Sequence, residues 1–214
     1  MEIDVVFDTV CPWCFIGKRR LERALEMRPH GDVRLRWRPF LLNPEMPSEG
    51  IDRTAYLVKK FGSETRVRRI YGAIGDAGQS VEIDFAFDRI DRTPNSMDSH
   101  RLVRFAETNG GRGEIVVEAL YQAYFLEGRD IGRRDVLLEI AGEIGLDAAA
   151  LAVQFDDDTE IAAVHEENAR AHRLGINGVP AFSFSGSLVI SGAQEPPVLA
   201  RMIDAARAMA GTAA

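Results

Sequence analysis

The chain has 214 residues, of which 46% are hydrophobic and 28% charged, a composition typical of a globular protein that buries a sizeable core. Its formal net charge of −7 argues against nucleic acid as the main partner, because phosphate binding needs a basic surface. The sequence has neither the ~20-residue apolar run of a membrane-spanning helix nor the pattern of a secretory signal. We therefore expect a cytoplasmic protein, and a structural disulfide is not expected in that compartment.

The first elements of the chain predict a strand, a helix and a second strand. Residues 2–8, EIDVVFD, are apolar at their centre, as in a strand that is buried on both faces. Pro12 suits the first turn of the helix that follows, which RPHGD (28–32) ends. Residues 33–44 begin with the alternating polarity of a strand. This order predicts a βαβ unit with a right-handed crossover.

Residues 51–173 are mostly helical in pattern, with breaks at clusters of Gly, Pro, Asn and Ser. Ser63 and Asp158 precede two of the helices and are predicted N-caps. Residues 80–88 are predicted to form a short extended segment. The predicted helices are 52–61, 64–76, 95–108, 113–126, 133–144 and 158–174, with a short one at 147–154.

The end of the chain returns to β-strand patterns. Residues 181–185 and 187–190 are predicted strands around a tight SGS turn, and they should form a hairpin. The last segment, EPPVLARMIDAARAMA, is predicted to be a helix with prolines at its start. The overall order is β-α-β, a long helical stretch, then β-β-α.

The only two cysteines, Cys11 and Cys14, lie between the first strand and the first helix. Cys11 precedes the helix, where free backbone N–H groups and the helix dipole favour a thiolate, so we expect Cys11 to be exposed and nucleophilic. Cys14 lies one turn further and should be a shielded resolving thiol, which releases the mixed disulfide formed by Cys11. Pro12 and Trp13 restrict the turn between them.

Two other interpretations of the cysteine pair remain open. A metal site would need further ligands from acidic residues or histidines, and no histidine has zinc-finger spacing to the pair. Alternatively, both thiols are unreactive core residues, since free cysteine is often buried. A CxxC at a strand-to-helix junction within a βαβ unit favours the redox interpretation. The histidines are His30, His100, His165 and His172.

A second informative segment is GVPAF, residues 178–182. A proline at the very start of a β segment is in some proteins preceded by a cis peptide bond. The alternative is a trans proline that simply opens the strand.

With these motifs the chain resembles the DsbA-like branch of the thioredoxin superfamily, in particular the FrnE-type cytoplasmic proteins. The resemblance is carried by DTVCPWCFIG, by TPNSMDSHRL (93–102) and by GINGVPAFSFSGSLVISGAQ (175–194). It implies an α/β fold, a thioredoxin fold with a large inserted α-helical domain. The thioredoxin-like domain would be discontinuous, at 1–45 and 174–214, and the helical domain would cover 46–173.

The resemblance also implies site roles. Cys11 would be the nucleophile and Cys14 the resolving cysteine, and a cis Val179–Pro180 peptide would face the pair. The backbone at Val179 would bind an extended substrate segment, in the manner of an added strand. Pro12 and Trp13 would line the same site.

The segment TPNSMDSHRL opens a predicted helix. Asn95, Ser96 and Asp98 are residue types that cap helices, and Pro94 suits a helix start, so capping is the favoured interpretation. His100 lies one turn inside this helix. If the helix covers the site, His100 is a candidate to bind substrate or to stabilise the thiolate.

The expected function is that of a thiol–disulfide oxidoreductase without a metal or bound organic cofactor, with glutathione as a candidate co-substrate. The same architecture resembles kappa-class glutathione transferases and 2-hydroxychromene-2-carboxylate isomerases, which usually carry Ser at the position of Cys11. A glutathione-dependent enzyme acting on a small aromatic molecule is therefore the main alternative. The helical domain is expected to form one wall of a cleft above Cys11. A non-catalytic chaperone that holds peptides in this cleft is a third interpretation, and the resembled families make a homodimer plausible.

Overall fold

The structure is a computed structural model that describes residues 1–28 and 33–212. Its strands and helices are numbered along the chain. They are β1 (Glu2–Phe7), α1 (Pro12–Glu26), β2 (Arg34–Pro39), β3 (Ile51–Asp52), α2 (Arg53–Phe61), α3 (Glu64–Gln79), β4 (Arg92–Thr93), α4 (Met97–Thr108), α5 (Gly113–Tyr121), α6 (Arg134–Glu143), α7 (Ala148–Phe155), α8 (Thr159–Arg173), β5 (Ala181–Phe184), β6 (Leu188–Ser191) and α9 (Pro196–Thr212).

A four-stranded sheet joins the two ends of the chain in the order β2-β1-β5-β6. β1 is parallel to β2 and antiparallel to β5, and β5 and β6 form the predicted hairpin. Ile3, Val5 and Phe7 of β1 are at most 2% exposed. This burial agrees with the apolar character of a strand that has neighbours on both sides and helices over its faces.

The hydrophobic core is continuous from the sheet into the helical segment. Phe15 of α1 stacks on Tyr121 at the end of α5, with 5.0 Å between ring centroids and an interplanar angle of 23°. Phe125 packs against both rings. Stacked aromatic rings of this kind add directional contacts to simple area burial. The helix that carries the cysteines is therefore packed directly against the helical segment.

Most predicted elements lie within a few residues of the observed ones. The helix predicted at 113–126 is observed as α5, which ends at Tyr121, followed by a π-helical turn, Gln122–Leu126. The predicted extended segment at 80–88 is wrong, since it contains a turn and a 3-10 helix, Phe87–Arg89, in place of a strand. The short strands β3 and β4 were not predicted.

The two predicted N-caps differ in outcome. The Ser63 hydroxyl accepts the Arg66 N–H at 3.3 Å, as expected for a cap of α3. Asp158 precedes α8 but its side chain makes no capping hydrogen bond within the described part of the chain. The predicted end of α1 at 28–32 lies largely outside the described residues, with α1 itself ending at Glu26.

The predicted domain limits, after residues 45 and 173, fall in connections between elements, and the division into two domains stays a prediction. Among the helices of residues 1–28 and 33–212, none combines the length and the apolarity that crossing a bilayer requires.

At Gly17, α1 lies in close contact with Pro180, in the loop before β5. A Cβ atom on Gly17 would lie 2.8 Å from Pro180 Cγ and 3.3 Å from Phe182 Cζ. Overpacking costs about 1–3 kcal/mol, against up to about 1 kcal/mol gained from the higher helix propensity of Ala. Gly17→Ala should therefore lower the free energy of unfolding by about 1–2 kcal/mol in urea titrations.

Gly142→Ala in α6 is the matched control, because a Cβ there meets no atom within 4 Å. Helix propensity alone then acts, and the variant should be more stable by about 0.5–1 kcal/mol. Equal effects of the two substitutions would contradict close packing of α1 on Pro180.

Candidate active site

Cys11 occupies the N-cap position of α1, directly before Pro12. Its backbone N–H donates to the Asp8 carbonyl at 3.1 Å, and its carbonyl accepts the Cys14 N–H at 3.0 Å. Pro12 has no N–H to leave unsatisfied at the first helical position, which suits the start of this helix. The local sequence thus fixes Cys11 at the positive end of the helix dipole.

The Cys11 thiol reaches across to the other end of the chain. Its S–H donates to the Val179 carbonyl, with 3.7 Å between Sγ and the oxygen, although the two residues are 168 positions apart. The Val179–Pro180 peptide bond is cis. The pairing of β1 with β5 brings the segments together, because Val6 lies opposite Ala181, the residue after Pro180.

Exposure of the two thiols differs from the prediction for Cys11. Cys11 is 4% exposed and Cys14 3%, and both are free thiols. The expectation that Cys11 would be an exposed residue is therefore wrong, because helices from the central segment and the Val179 carbonyl cover it. The two cysteines differ in access, since Cys11 lines a cleft and Cys14 is not part of its wall.

The environment of Cys14 disfavours its thiolate. Burial raises the pKa of the Cys14 thiol well above its usual value, and the hydrogen bond and charge of Cys11 raise it further. A hydrogen bond with the backbone of Asp8 acts in the opposite direction, but the net shift is upward. The Cys14 thiol is thus held protonated inside the protein.

The cleft above Cys11 has a volume of 280 Å³ and is lined from both parts of the chain. The start of α1 and the residues just before it supply Val10, Cys11, Pro12 and Trp13, and the loop before β5 supplies Val179. α2 and α3 supply most of the facing wall. Trp13 is 38% exposed, whereas Pro180 is buried behind the cleft. The helical segment therefore forms one wall of the cleft, as the sequence suggested.

His100 lies in the interior rather than in the cleft. It has no exposed surface, and its Nε2 atom lies 3.4 Å from Oδ1 of the equally buried Asp8. Neither ring nitrogen has a hydrogen-bond partner among the described residues. A substrate in the cleft does not reach a side chain in this position, which corrects the substrate-binding role predicted for His100. An influence of His100 on the thiols stays a prediction.

Asp8 is a residue of the site that the sequence pattern did not single out. Its Oδ1 accepts the Val10 N–H at 3.3 Å and its Oδ2 accepts the Leu42 N–H at 2.8 Å. The Tyr121 hydroxyl donates to the Asp8 carbonyl at 3.5 Å. The carboxylate thereby ties the loop before Cys11 to the chain that leaves β2. An acidic residue directly after an apolar strand was the available signal.

The segment TPNSMDSHRL caps α4 through one residue. The Asn95 Oδ1 atom accepts the Met97 N–H at 2.8 Å. Ser96 holds the N-cap position without a side-chain capping bond, and Asp98 pairs instead with Arg134 at 2.7 Å. The capping interpretation is therefore correct for Asn95 and wrong for Ser96 and Asp98.

The helical wall also contributes a buried cation that the sequence analysis missed. Arg53, the first residue of α2, is 8% exposed and lines the cleft. Its Nη1 donates to the Tyr124 hydroxyl at 3.0 Å and its Nη2 to the Tyr71 hydroxyl at 3.1 Å. No local pattern identifies such a residue, because its surroundings come from distant parts of the chain.

The described residues contain no cluster of three or more His, Cys, Asp or Glu side chains arranged to hold a metal ion. Of the histidines considered as ligands, His30 lies outside the described residues, and His165 and His172 are exposed on α8.

The raised pKa of Cys14 gives stability a defined pH dependence. The unfolded chain loses this proton near about pH 8.5, whereas the folded protein retains it, so the unfolded state binds fewer protons above that pH. The free energy of unfolding should therefore fall as the pH rises from about 8.5, by up to about 1.4 kcal/mol per unit.

Urea titrations of Cys11→Ser between about pH 8 and 10 measure this slope. Cys11→Ser/Cys14→Ala is the matched control and should show a shallower decline, because burial, the main cause of the shift, no longer acts on a thiol. Identical slopes would show that Cys14 is not held protonated by the fold.

Comparisons with known proteins agree with this geometry. Residues 2–204 match the model of the DsbA-like thioredoxin domain. The Bacillus subtilis protein YwbO is 30% identical over 204 residues, which cover 95% of this chain and 96% of YwbO. The structure of a probable DsbA oxidoreductase from Streptomyces coelicolor has a TM-score of 0.88 at 28% identity, over 97% of this chain and 90% of that one.

A more distant structure shares the fold. It is the cytosolic disulfide reductase DsbM from Pseudomonas aeruginosa with GSH, at 21% identity and a TM-score of 0.67, over 99% of this chain and 98% of that chain. The extent of the family match, together with the CxxC on α1, leads to one assignment. The chain belongs to the DsbA-like thioredoxin family.

Proposed function

We propose that this protein is a thiol–disulfide oxidoreductase that exchanges disulfides through Cys11 and Cys14. The observation that carries the proposal is the placement of the two thiols. Cys11 lies at the start of a helix, lines a cleft and contacts the backbone before Pro180, while Cys14 lies behind it as a buried, protonated thiol. A two-step exchange requires one sulfur that a substrate in the cleft can meet and a second sulfur behind it.

In the first step the Cys11 thiolate attacks one sulfur of a substrate disulfide. A Cys11–substrate disulfide forms, the substrate S–S bond breaks, and the first substrate sulfur leaves as a thiolate that takes up a proton. The positive end of the helix dipole at the start of α1 stabilises negative charge on Cys11.

In the second step Cys14 loses its proton and attacks the Cys11 sulfur. The Cys11–Cys14 disulfide forms and the second substrate thiolate leaves, so the substrate gains two electrons and two protons and the protein dithiol is oxidised. Burial is the main cause of the raised pKa of Cys14, and the hydrogen bond and charge of Cys11 add to it. The mixed disulfide removes the charge on Cys11, which makes loss of the Cys14 proton easier in this step. Reversal of both steps oxidises a substrate dithiol.

The cleft is proposed to select what reaches Cys11. Main-chain groups at Val179 would pair with an extended substrate segment, since this residue lies next to the reactive sulfur. Pro12 and Trp13 line the same cleft. Substrates would be proteins or small molecules that carry a disulfide or a dithiol, and glutathione is a candidate co-substrate because the similar DsbM structure contains GSH.

We infer that the protein acts in the cytoplasm, an inference that the description of DsbM as a cytosolic disulfide reductase supports. A glutathione-dependent isomerase or transferase is the alternative function. Cys rather than Ser at position 11, with a second thiol on the next turn of α1, favours exchange over that alternative.

Substitution of each cysteine tests the proposal. Cys11→Ser should lower the rate of insulin disulfide reduction by roughly 100-fold or more, because no nucleophile remains at the cleft. Cys14→Ala should accumulate mixed disulfides with the substrate, because release by the resolving thiol is lost. Mass spectrometry of the non-reduced protein detects these adducts.

Three outcomes would contradict the proposal. Full activity of Cys11→Ser would place the chemistry elsewhere. Tight glutathione binding with no exchange in any assay would favour the isomerase or transferase. Prevention of aggregation that survives in the Cys11→Ser/Cys14→Ser variant, again without exchange, would favour a chaperone.

A further inference from the structure

Arg53 is a buried cation without a counter-ion. It is 8% exposed, and no carboxylate of residues 1–28 or 33–212 lies within ion-pair distance of its guanidinium. The comparably buried Arg101, by contrast, pairs with Asp98 at 2.6 Å. Removing a charge from water without a partner is costly, so an unpaired buried guanidinium at a cleft points to a ligand that completes it.

Neutral groups hold the guanidinium in place. Its two terminal nitrogens donate to the hydroxyls of Tyr124 and Tyr71, and its carbon lies 5.2 Å from the Tyr71 ring centroid and 5.7 Å from that of Phe87. These contacts fix the orientation of the side chain, and the rings attract its positive charge, but none of them supplies a negative charge. Five N–H donors are available on a guanidinium, and two of them are used here.

Tyr71, unlike Tyr124, has a hydroxyl proton available to a ligand in the cleft. The Tyr124 hydroxyl donates onward to the Arg92 carbonyl at 3.3 Å. The Tyr71 hydroxyl accepts from Arg53, and its own proton has no acceptor in the described part of the chain. Burial raises the pKa of Tyr71, Arg53 opposes that rise, and the charge of Cys11 adds to it. Arg53, Tyr71 and Cys11 all line the same cleft.

The charged side chains that line the cleft, Arg53 and Lys60, are both cationic. Lys60 of α2 lies at its edge, where its Nζ donates to the Tyr56 hydroxyl at 2.8 Å. No Asp or Glu is among the described residues that line the cleft. This is the reverse of the chain as a whole, whose formal net charge is −7. A cationic cleft on an acidic protein attracts anions locally and repels them elsewhere.

We propose that Arg53 binds a carboxylate of the substrate, so that the cleft selects disulfides that carry negative charge near the sulfur atoms. The inference rests on the proposed exchange at Cys11 and names the substrate class for it. A carboxylate on Arg53 would receive charge-assisted N–H donors from the planar fork and a further bond from the Tyr71 hydroxyl. The substrate sulfur would then lie over Cys11 at the other side of the same 280 Å³ cleft.

A series of small disulfides of similar size and different charge tests the inference. The reduced protein is mixed with dithiodipropionate, which carries two carboxylates, with hydroxyethyl disulfide, which is neutral, or with cystamine, which carries two ammonium groups. Rapid alkylation and mass spectrometry give the second-order rate constant for oxidation of the cysteine pair. The quantity compared is the rate constant for the dianion divided by that for the neutral disulfide, so intrinsic reactivity cancels between variants.

In Arg53→Gln this ratio should fall by about 10–100-fold, the effect expected for loss of charge-assisted hydrogen bonds in a largely buried position. Arg53→Lys should give an intermediate ratio, because it keeps the charge and loses the fork. Arg69→Gln is the matched control and should leave the ratio as in the parent protein, because Arg69 is an exposed α3 residue outside the cleft.

The parent protein alone supplies a second measurement that does not depend on a variant folding. Its rate constants, each divided by the rate constant for the same disulfide with free dithiothreitol, should decrease from the dianion to the neutral compound to the dication. Raised ionic strength should reduce this spread. An unchanged ratio in folded Arg53→Gln, or equal normalised rates in the parent protein, would overturn the inference and leave the exchange function intact. Absence of oxidation by every disulfide would overturn the proposed function as well.

Discussion

The antiparallel pairing of β1 with β5 is the constraint on which the site depends. Val6 faces Ala181 in this register, so the loop after β1 and the loop before β5 leave the sheet at the same end. That placement alone brings Cys11 to the Val179 carbonyl across 168 positions of sequence. A shift of one residue would turn every β5 side chain to the opposite face. Such a shift would expose the buried Phe182 and Phe184 and lower the free energy of unfolding. Burial of these side chains therefore maintains the contact between Cys11 and Val179 as well as the strand register.

The helical segment adds what the sheet cannot supply. The sheet and α1 hold the two sulfur atoms, one in the cleft wall and one outside it, but they contribute no charged group to the cleft wall. α2 and α3 form most of the wall that faces Cys11 and place Arg53 at the same cavity. Electrostatic interactions are stronger in such a covered site than in open solvent. Under the proposed function, the sheet and α1 would supply reactivity and the helical segment would supply selection.

The sequence predicted the order of the elements and the cysteine pair because both depend on local patterns. Apolar periodicity and glycine-rich breaks located every long helix, and Pro12 marked the start of α1. Other features depended on distant contacts. Cys11 was expected to be exposed and is buried, because a hydrogen bond to Val179 and the wall from α2 and α3 cover it. His100 was expected near the substrate and lies in the interior, whereas Arg53, which was not singled out, lines the cleft. No periodicity reveals which polar side chain faces a cavity.

The pairing of β1 with β5 also affects how the protein is made. The segment with both cysteines leaves the ribosome about 170 residues before its partner strand, which corresponds to roughly 10–30 s of synthesis. During that interval a nascent chain presents two thiols without the carbonyl, the cleft wall or the burial that later distinguish them. An oxidant would meet two ordinary cysteines at this stage. A reducing compartment, or a chaperone that covers the first forty or so residues, would allow the pair to acquire its separate roles only once the fold has closed.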